Sequence, residues 1–290
     1  MSDTTDALPQ SSRDAHDIAH LELVPRRHLG RKISAAIVLL LVALLIRAFV
    51  LGQIEWDVVG QFLFAPVILK GIWNTLLMTV CAMSLGIFLG VVIAIMRISG
   101  NPVLEWIALI YIWIFRGAPA LLQLLLWFNL ALIFPTMGIP GLFQVNTVDV
   151  MTPFVAAMLG LGIQQGAYTS EVVRSGLLSV DSGQYEAAHT IGMTGMQTLR
   201  RIVLPQAMRV MVPPIGNEVI SMVKLTSLAS VIQFSEILHN AQVIYYANTR
   251  VLELLMVASF WYLVIVTLLS LGQARIERHY ARGTRGRTKL

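Results

Sequence analysis

The sequence predicts an all-α integral membrane protein of about six transmembrane helices, and three observations lead there. Of 290 residues, 56% are apolar and only 13% charged, against the roughly 25% charged residues of an ordinary soluble domain. Six apolar stretches reach the length of about 20 helical residues that a bilayer core of about 30 Å demands, since lipid offers no partner to an open backbone. The basic residues gather at the chain ends and in two short internal stretches, a distribution suited to orienting helices in a membrane and unlike the continuous footprint that nucleic acid requires.

Residues 1–32 are polar, mixed in charge and without helical periodicity, and read as a disordered cytoplasmic tail. The apolar run starts only near Ile33, too late for a secretory signal, so residues 33–54 read as a retained extra N-terminal membrane helix. The remaining spans fall near 71–96, 103–134, 153–173, 210–234 and 252–273. The third is too long for one straight helix and carries Arg116, Gly117 and Pro119 inside it, where it should break. Arg47 lies within two turns of the outer end of the first span, from which it reaches the headgroups. Cys81 is the lone cysteine, so no intrachain disulfide forms.

Orientation follows from lysine and arginine. Arg26, Arg27, Arg31 and Lys32 precede the first span and Arg275, Arg278, Arg282, Arg285, Arg287 and Lys289 follow the last, which puts both termini in the cytoplasm and residues 276–290 in a basic tail. Arg97, Arg174, Arg200, Arg201 and Arg209 then fall on the same side, while Glu55, Asp57, Asp149 and Glu236 fall in outer loops.

Between the fourth and fifth spans, residues 179–205 are too polar and too patterned for a plain connector. A helix from Gln184 to Ala188, a turn at Gly192 and a second helix from Met196 to Ile202 ended by Pro205 would make a compact knob on the membrane face. A stiff knob can plug into another protein and transmit a push that a flexible loop would absorb.

In this knob Glu186, Ala187, Ala188, Gly192, Ile202, Leu204 and Pro205 keep every spacing of the EAA-x3-G-x9-I-x-LP pattern. The chain therefore resembles the permease subunits of ATP-binding-cassette importers, and residues 101–124, 167–184 and 204–228 look like their polar amino-acid branch. The resemblance covers about residues 71–275 as the permease core. It implies the type I importer fold in the cytoplasmic (inner) membrane, and a pore made with a second permease subunit, the same or a sister chain. It also implies a cytoplasmic ATPase dimer gripping the coupling loops, and a periplasmic or surface-tethered amino-acid-binding protein. That branch commonly has five core spans; the extra leading span returns the N-terminus to the cytoplasm. On the same grounds Glu186 contacts the ATPase and Gly192 lets the loop turn, an ordinary capped surface helix being the alternative. The chain holds no G-x-x-x-x-G-K-[ST] phosphate loop, so no catalytic residue and no cofactor is expected in it, ATP and Mg being bound by the partner ATPase.

Ionisable groups at membrane depth are costly and so are site candidates. The fifth span offers Asn217, Glu218, Ser221, Lys224, Thr226 and Ser227. Asn217, Ser221 and Lys224 share one helical face, expected to line a substrate pathway, and Thr226 and Ser227 should end or kink the helix. Such a set supplies a cation for a substrate carboxylate and acceptors for its ammonium; Lys224 reads equally as a structural ion pair. Where the family usually has an acidic or amide residue next, this chain has Leu225, a departure that suits a substrate with a neutral or negative side chain. Arg116, with Gln123 two turns on, reads as a gate or interface residue or as a snorkelling cation. Gln164, Gln165, Tyr168 and Glu171 approach the cytoplasmic end of the fourth span; Gln164, Tyr168 and Glu171 share a face and could pack against the fifth, with the glutamines as polar glue between helices. Lipid is the remaining partner and nucleic acid is excluded. A secondary transporter or channel is the rival transport reading, and a membrane-embedded enzyme would need a nucleophile, carboxylate pair or histidine cluster that the sequence does not offer.

Overall fold

The computed structural model describes residues 29–139 and 143–280. The chain divides into two units, Met1–Ile54 and Glu55–Leu290. In the first, α1 (Leu29–Val50) is one apolar helix exposed along its whole described length. It begins inside the expected tail, whose residues 1–28 lie outside the described ones.

The second unit opens with α2 (Trp56–Leu63) and α3 (Pro66–Ile98), each apolar, the latter started by a proline in its first turn where no N–H is missed. The third predicted span is two helices, α4 (Pro102–Gly117) and α5 (Ala120–Phe128), bent by 101° at the Ala118–Pro119 break. A small hairpin departs from an all-helical chain: β1 (Thr136–Ile139) pairs antiparallel with β2 (Phe143–Asn146), Thr136 opposite Asn146, and the short α6 (Thr147–Val150) follows. Then come α7 (Pro153–Leu178), α8 (Ser182–Thr190), α9 (Gly195–Thr198), α10 (Leu204–Leu225), α11 (Ile237–Asn248) and α12 (Val251–Tyr280). The last helix runs five residues into the predicted basic tail; 281–290 lie outside the described residues.

Among the described residues four stretches are long and apolar enough to cross a membrane, and a fifth if the bent pair counts as one. The remaining predicted span, the fourth, is α7, which has the length, at 26 residues, but not the apolarity, because Gln164, Gln165, Thr169 and Ser170 are turned into the protein. Its shortfall in hydropathy is thus a sign of burial between helices.

The most extensive helix pair is α3 with α7, and small residues explain it. Gly86 on α3 meets Gly162 and Gly166 on α7 and Gly90 meets Thr169 and Ser170, two small-x3-small faces that let backbones approach closely. A Cβ on Gly162 would lie 2.8 Å from Leu85 Cδ2 and 3.1 Å from the Ala82 carbonyl, and one on Gly166 2.6 Å from Tyr111 Oη. Tyr111 donates to the Ile163 carbonyl at 2.6 Å, fastening α4 to the same seam.

Toward the end that carries the hairpin connections, α11 wedges between α3 and α12 over a core of Ile68, Val223, Ile237, Ala241, Leu254 and Val257. Glu236, expected in an outer loop, is fully buried at the start of α11. Its carboxylate accepts from the Leu238 and His239 amides at 2.8 and 2.6 Å and from the Tyr262 hydroxyl at 2.5 Å. Asn240 continues the clasp, donating to the Val67 carbonyl at 2.7 Å while Ser235 donates to it. Glu236→Ala removes a helix cap, worth about 1 kcal/mol, and strands the Tyr262 hydroxyl at a further cost of about 1–3 kcal/mol. Thermal unfolding in detergent should show a clear loss, with Glu236→Gln, which keeps an acceptor, intermediate between the two.

Candidate functional site

The knob is built as a rigid object. Asp181 caps α8 by accepting from the Gly183 amide at 2.8 Å. At its other end Gly192 N–H donates to the His189 carbonyl and Met193 N–H to the Ala188 carbonyl, both at 3.0 Å, while Gly192 takes φ +77°. That is a Schellman ending with glycine in the left-handed position, where a Cβ is penalised. Thr194 and Gln197 then form a reciprocal capping box that starts α9.

From there the chain departs from expectation. Pro205 does not end the second helix. A π turn over Leu199–Val203 runs straight into α10, with Pro205 in its first turn. The wider turn absorbs the missing N–H, so the second half of the knob, from Gly195, and the span are one continuous helical rod. Gln206 Nε2 ties them further, donating to Gln184 Oε1 at 3.3 Å across to α8.

Across the knob Glu186, Ala187, Gly192, Leu204 and Pro205 are exposed and Ile202 is half-buried, but Ala188 is 1% exposed. Ala188 therefore packs α8 against the following turns and offers no surface to a partner, because a methyl at that crossing faces inward.

On α10 the face expected for a pathway is present: Asn217, Ser221 and Lys224 are all exposed along one side. The helix ends at Leu225 and passes into a tighter 3-10 stretch, Thr226–Ile232. Ser227 donates to the Lys224 carbonyl at 2.6 Å. Thr226 is fully buried and donates to the Val223 carbonyl at 2.7 Å, so it shapes the helix end and lines no pathway. Glu218 is turned toward α7, where its Oε2 accepts from Gln165 Nε2 at 2.7 Å and Thr169 Oγ1 at 2.9 Å.

The polar link between the fourth and fifth spans thus runs through Gln165 and Thr169, and the Gln164, Tyr168 and Glu171 face does other work. Gln164 and Tyr168, with Gln165, Met222 and Leu225, line a small cavity of about 140 Å³. The Arg116 guanidinium lies 5.0 Å over the Tyr168 ring, within cation–π range. Glu171 pairs with Arg97 at 3.4 Å and Arg174 at 3.0 Å, bracing the ends of α3 and α7. Gln123 staples the bend, its amide donating to the Phe115 and Ala118 carbonyls at 3.0 and 2.9 Å. Gln165 thus acts as the expected polar glue; its partner Thr169 is not among the expected residues, although Gly162, Gln165, Gly166 and Thr169 recur at i, i+3, i+4 and i+7 on one face of α7.

Three comparisons meet this geometry. Residues 86–282 match the family described as binding-protein-dependent transport system inner membrane component. The chain is 39% identical over 267 residues to an arginine transport system permease protein, ArgU, of Corynebacterium glutamicum, covering 91% of this chain and 84% of that one. It is 40% identical over 237 residues to the L-cystine transport system permease protein TcyB of Bacillus subtilis, covering 81% and 95%. Among solved structures, a crystal structure of an amino acid ABC transporter with histidines superposes with a TM-score of 0.66 at 32% identity, covering 76% of this chain and 97% of that one. On these matches the chain belongs to the family of inner membrane components of binding-protein-dependent transport systems, as a multi-pass permease of the amino-acid ABC importer kind.

Proposed function

We propose that the chain forms, with a second permease subunit, the membrane pathway of an importer for polar amino acids, driven by a separate ATPase dimer docked on residues 182–205 and loaded by a binding protein. The observation that carries this reading is mechanical. The second half of the knob, α9, continues through the π turn without a break into α10, the helix whose Asn217, Ser221 and Lys224 face the pathway, and α8 is fixed to it through the Schellman turn and the Gln206–Gln184 hydrogen bond, so a push on Glu186 and Ala187 becomes a movement of that face. No nucleotide is bound by this chain; ATP and Mg belong to the partner. The knob end is the cytoplasmic end, with both termini on that side.

The substrate site is the cavity walled by Gln164, Gln165 and Tyr168, with Arg116 and Lys224 as the cations for a substrate carboxylate. Leu225 in its wall gives a cationic side chain no partner there, which favours neutral polar amino acids as cargo. A second reading rests on Glu218, whose carboxylate stands behind Gln165 and would hold a cationic side chain, in keeping with the similarity to an arginine permease. Uptake into liposomes by the assembled complex, with a competition panel, decides both points. Cystine or glutamine should compete best, arginine or lysine dominating would move the assignment to Glu218, and solute movement by the chain with no ATPase present would overturn the importer reading altogether.

A further inference from the structure

A groove of about 700 Å³ runs along α3 and α10 at the knob end of the bundle, walled almost wholly by apolar side chains, among them Val91, Ile95, Met208, Val212 and Ile276. It is the counterpart of the place that α11 fills at the other end. There α11 packs against α3 and α12; among the described residues of 55–280 no element does the same at the knob end.

Its position on α10 says which way it faces. At about 100° per residue, Met208, Met211, Val212 and Ile215 fall on the side of the helix opposite Asn217, Ser221 and Lys224. A second permease subunit sharing the pathway meets the latter face, so the groove looks outward into the bilayer.

Its rim is basic. Arg200 follows the groove residue Leu199, Arg209 follows Met208, and Arg275 precedes Ile276; Arg201 and Arg278 lie beside them. All five are exposed, and among the described residues none forms an ion pair with a carboxylate. Arg275 and Arg278 reach only carbonyls of their own helix. The acid at this end of α12, Glu277, accepts from Gln273 at 3.0 Å, while Arg97 is held by Glu171 and Glu105. An apolar slot at leaflet depth with unpaired guanidinium groups at its mouth matches one amphiphile class: chains below and an anionic phosphate above.

We infer that the groove holds an acyl chain of an anionic phospholipid from the leaflet at the knob end, with its headgroup phosphate on the arginine rim. Leu199 and Leu204 both line the groove and bracket the π turn, so the bound chain buttresses the junction between knob and span.

The test places a photoreactive benzoylphenylalanine at Met208 of the full-length chain in nanodiscs of phosphatidylglycerol and phosphatidylcholine in equal amounts, and reads the adduct by mass. A phosphatidylglycerol adduct enriched several-fold over phosphatidylcholine is expected. Arg275→Gln with Arg278→Gln, both on the exposed surface, should keep a lipid adduct but lose the enrichment, and Val91→Trp should fill the slot and abolish the adduct. A polypeptide adduct, from this chain or a second copy, overturns the inference, as does lipid capture without preference in the unsubstituted rim or capture that persists in Val91→Trp. Because the readout needs neither ATPase nor substrate, its failure leaves the importer reading untouched.

Discussion

Gly192→Asp is expected to leave the permease inserted and assembled while abolishing substrate-stimulated ATP hydrolysis by the complex. Gly192 sits at φ +77° with nothing within 4 Å of where a Cβ would go. The substitution therefore meets no steric wall, and its local cost is the left-handed backbone, about 1–2 kcal/mol for a side-chain-bearing residue. A penalty of that size cannot unfold a membrane bundle whose core lies elsewhere, but it does reopen the Schellman turn that fixes the direction between α8 and α9. Aspartate also adds a negative charge on the exposed surface next to Ile191, within reach of the partner that Glu186 is proposed to touch. Gly192→Ala separates the two effects, since it carries the strain without the charge, and should retain partial stimulation. Equal yields of both variants in the membrane, together with ATPase measured with and without loaded binding protein, provide the check. Full stimulation in Gly192→Asp would remove the knob from the mechanism.

The knob was the most legible part of the chain because its signals are local. A glycine and a proline at fixed offsets each constrain their own few residues, and Gly192 turns the chain as the spacing anticipates. What local reading could not reach was the fate of Pro205. Proline ends an α-helix by removing a hydrogen bond from the i−4 ladder, yet a π turn just before it changes which bond is missing. That choice is made by the packing of Val203, Ala207 and Met211 against Val173 and Val180 beneath the knob, a non-local matter. The same division appears at the bend: Arg116, Gly117 and Pro119 announce a break, but only the fold shows Gln123 closing it from the next helix.

Hydropathy reads a membrane chain through composition, which undervalues α7 although its length marks it as a span, and which misplaces Glu236, for one reason. In α7 the polar residues lowered the score of a helix that is buried against protein. At Glu236 a carboxylate near an apolar edge read as an outer-loop charge, although it is fully enclosed by α11, α12 and its own backbone. A sequence window counts polarity without knowing whether it faces water, and in a bundle the polar groups that matter face each other. The Glu218–Gln165–Thr169 contact belongs to the same class, and its partners stand 53 and 49 residues away in sequence.

That contact and the glycine seam are one device, which makes Gly86→Val the second large effect. A Cβ on Gly86 would stand 2.6 Å from Gln165 Cγ and 2.7 Å from Gln165 Cβ, with the Gly162 carbonyl 3.3 Å away. A single methyl there must push Gln165 aside, and the branched valine must also part the two backbones. Overpacking of this kind costs about 1–3 kcal/mol where side chains can yield, and more here because the Gly162 carbonyl closes the far side. Gly86→Val is therefore expected to drop the membrane-inserted yield and the thermal midpoint sharply. Gly86→Ala should fold, but with Gln165 displaced from Glu218, which loses its strongest donor in a setting where a carboxylate needs donors. If the seam positions the site, Gly86→Ala and Gln165→Leu will show the same change in substrate selectivity in the competition panel, and the double variant will add little to either. Additive effects, or a Gly86→Val protein of unchanged midpoint, would mean that the glycines are incidental to both the packing and the carboxylate.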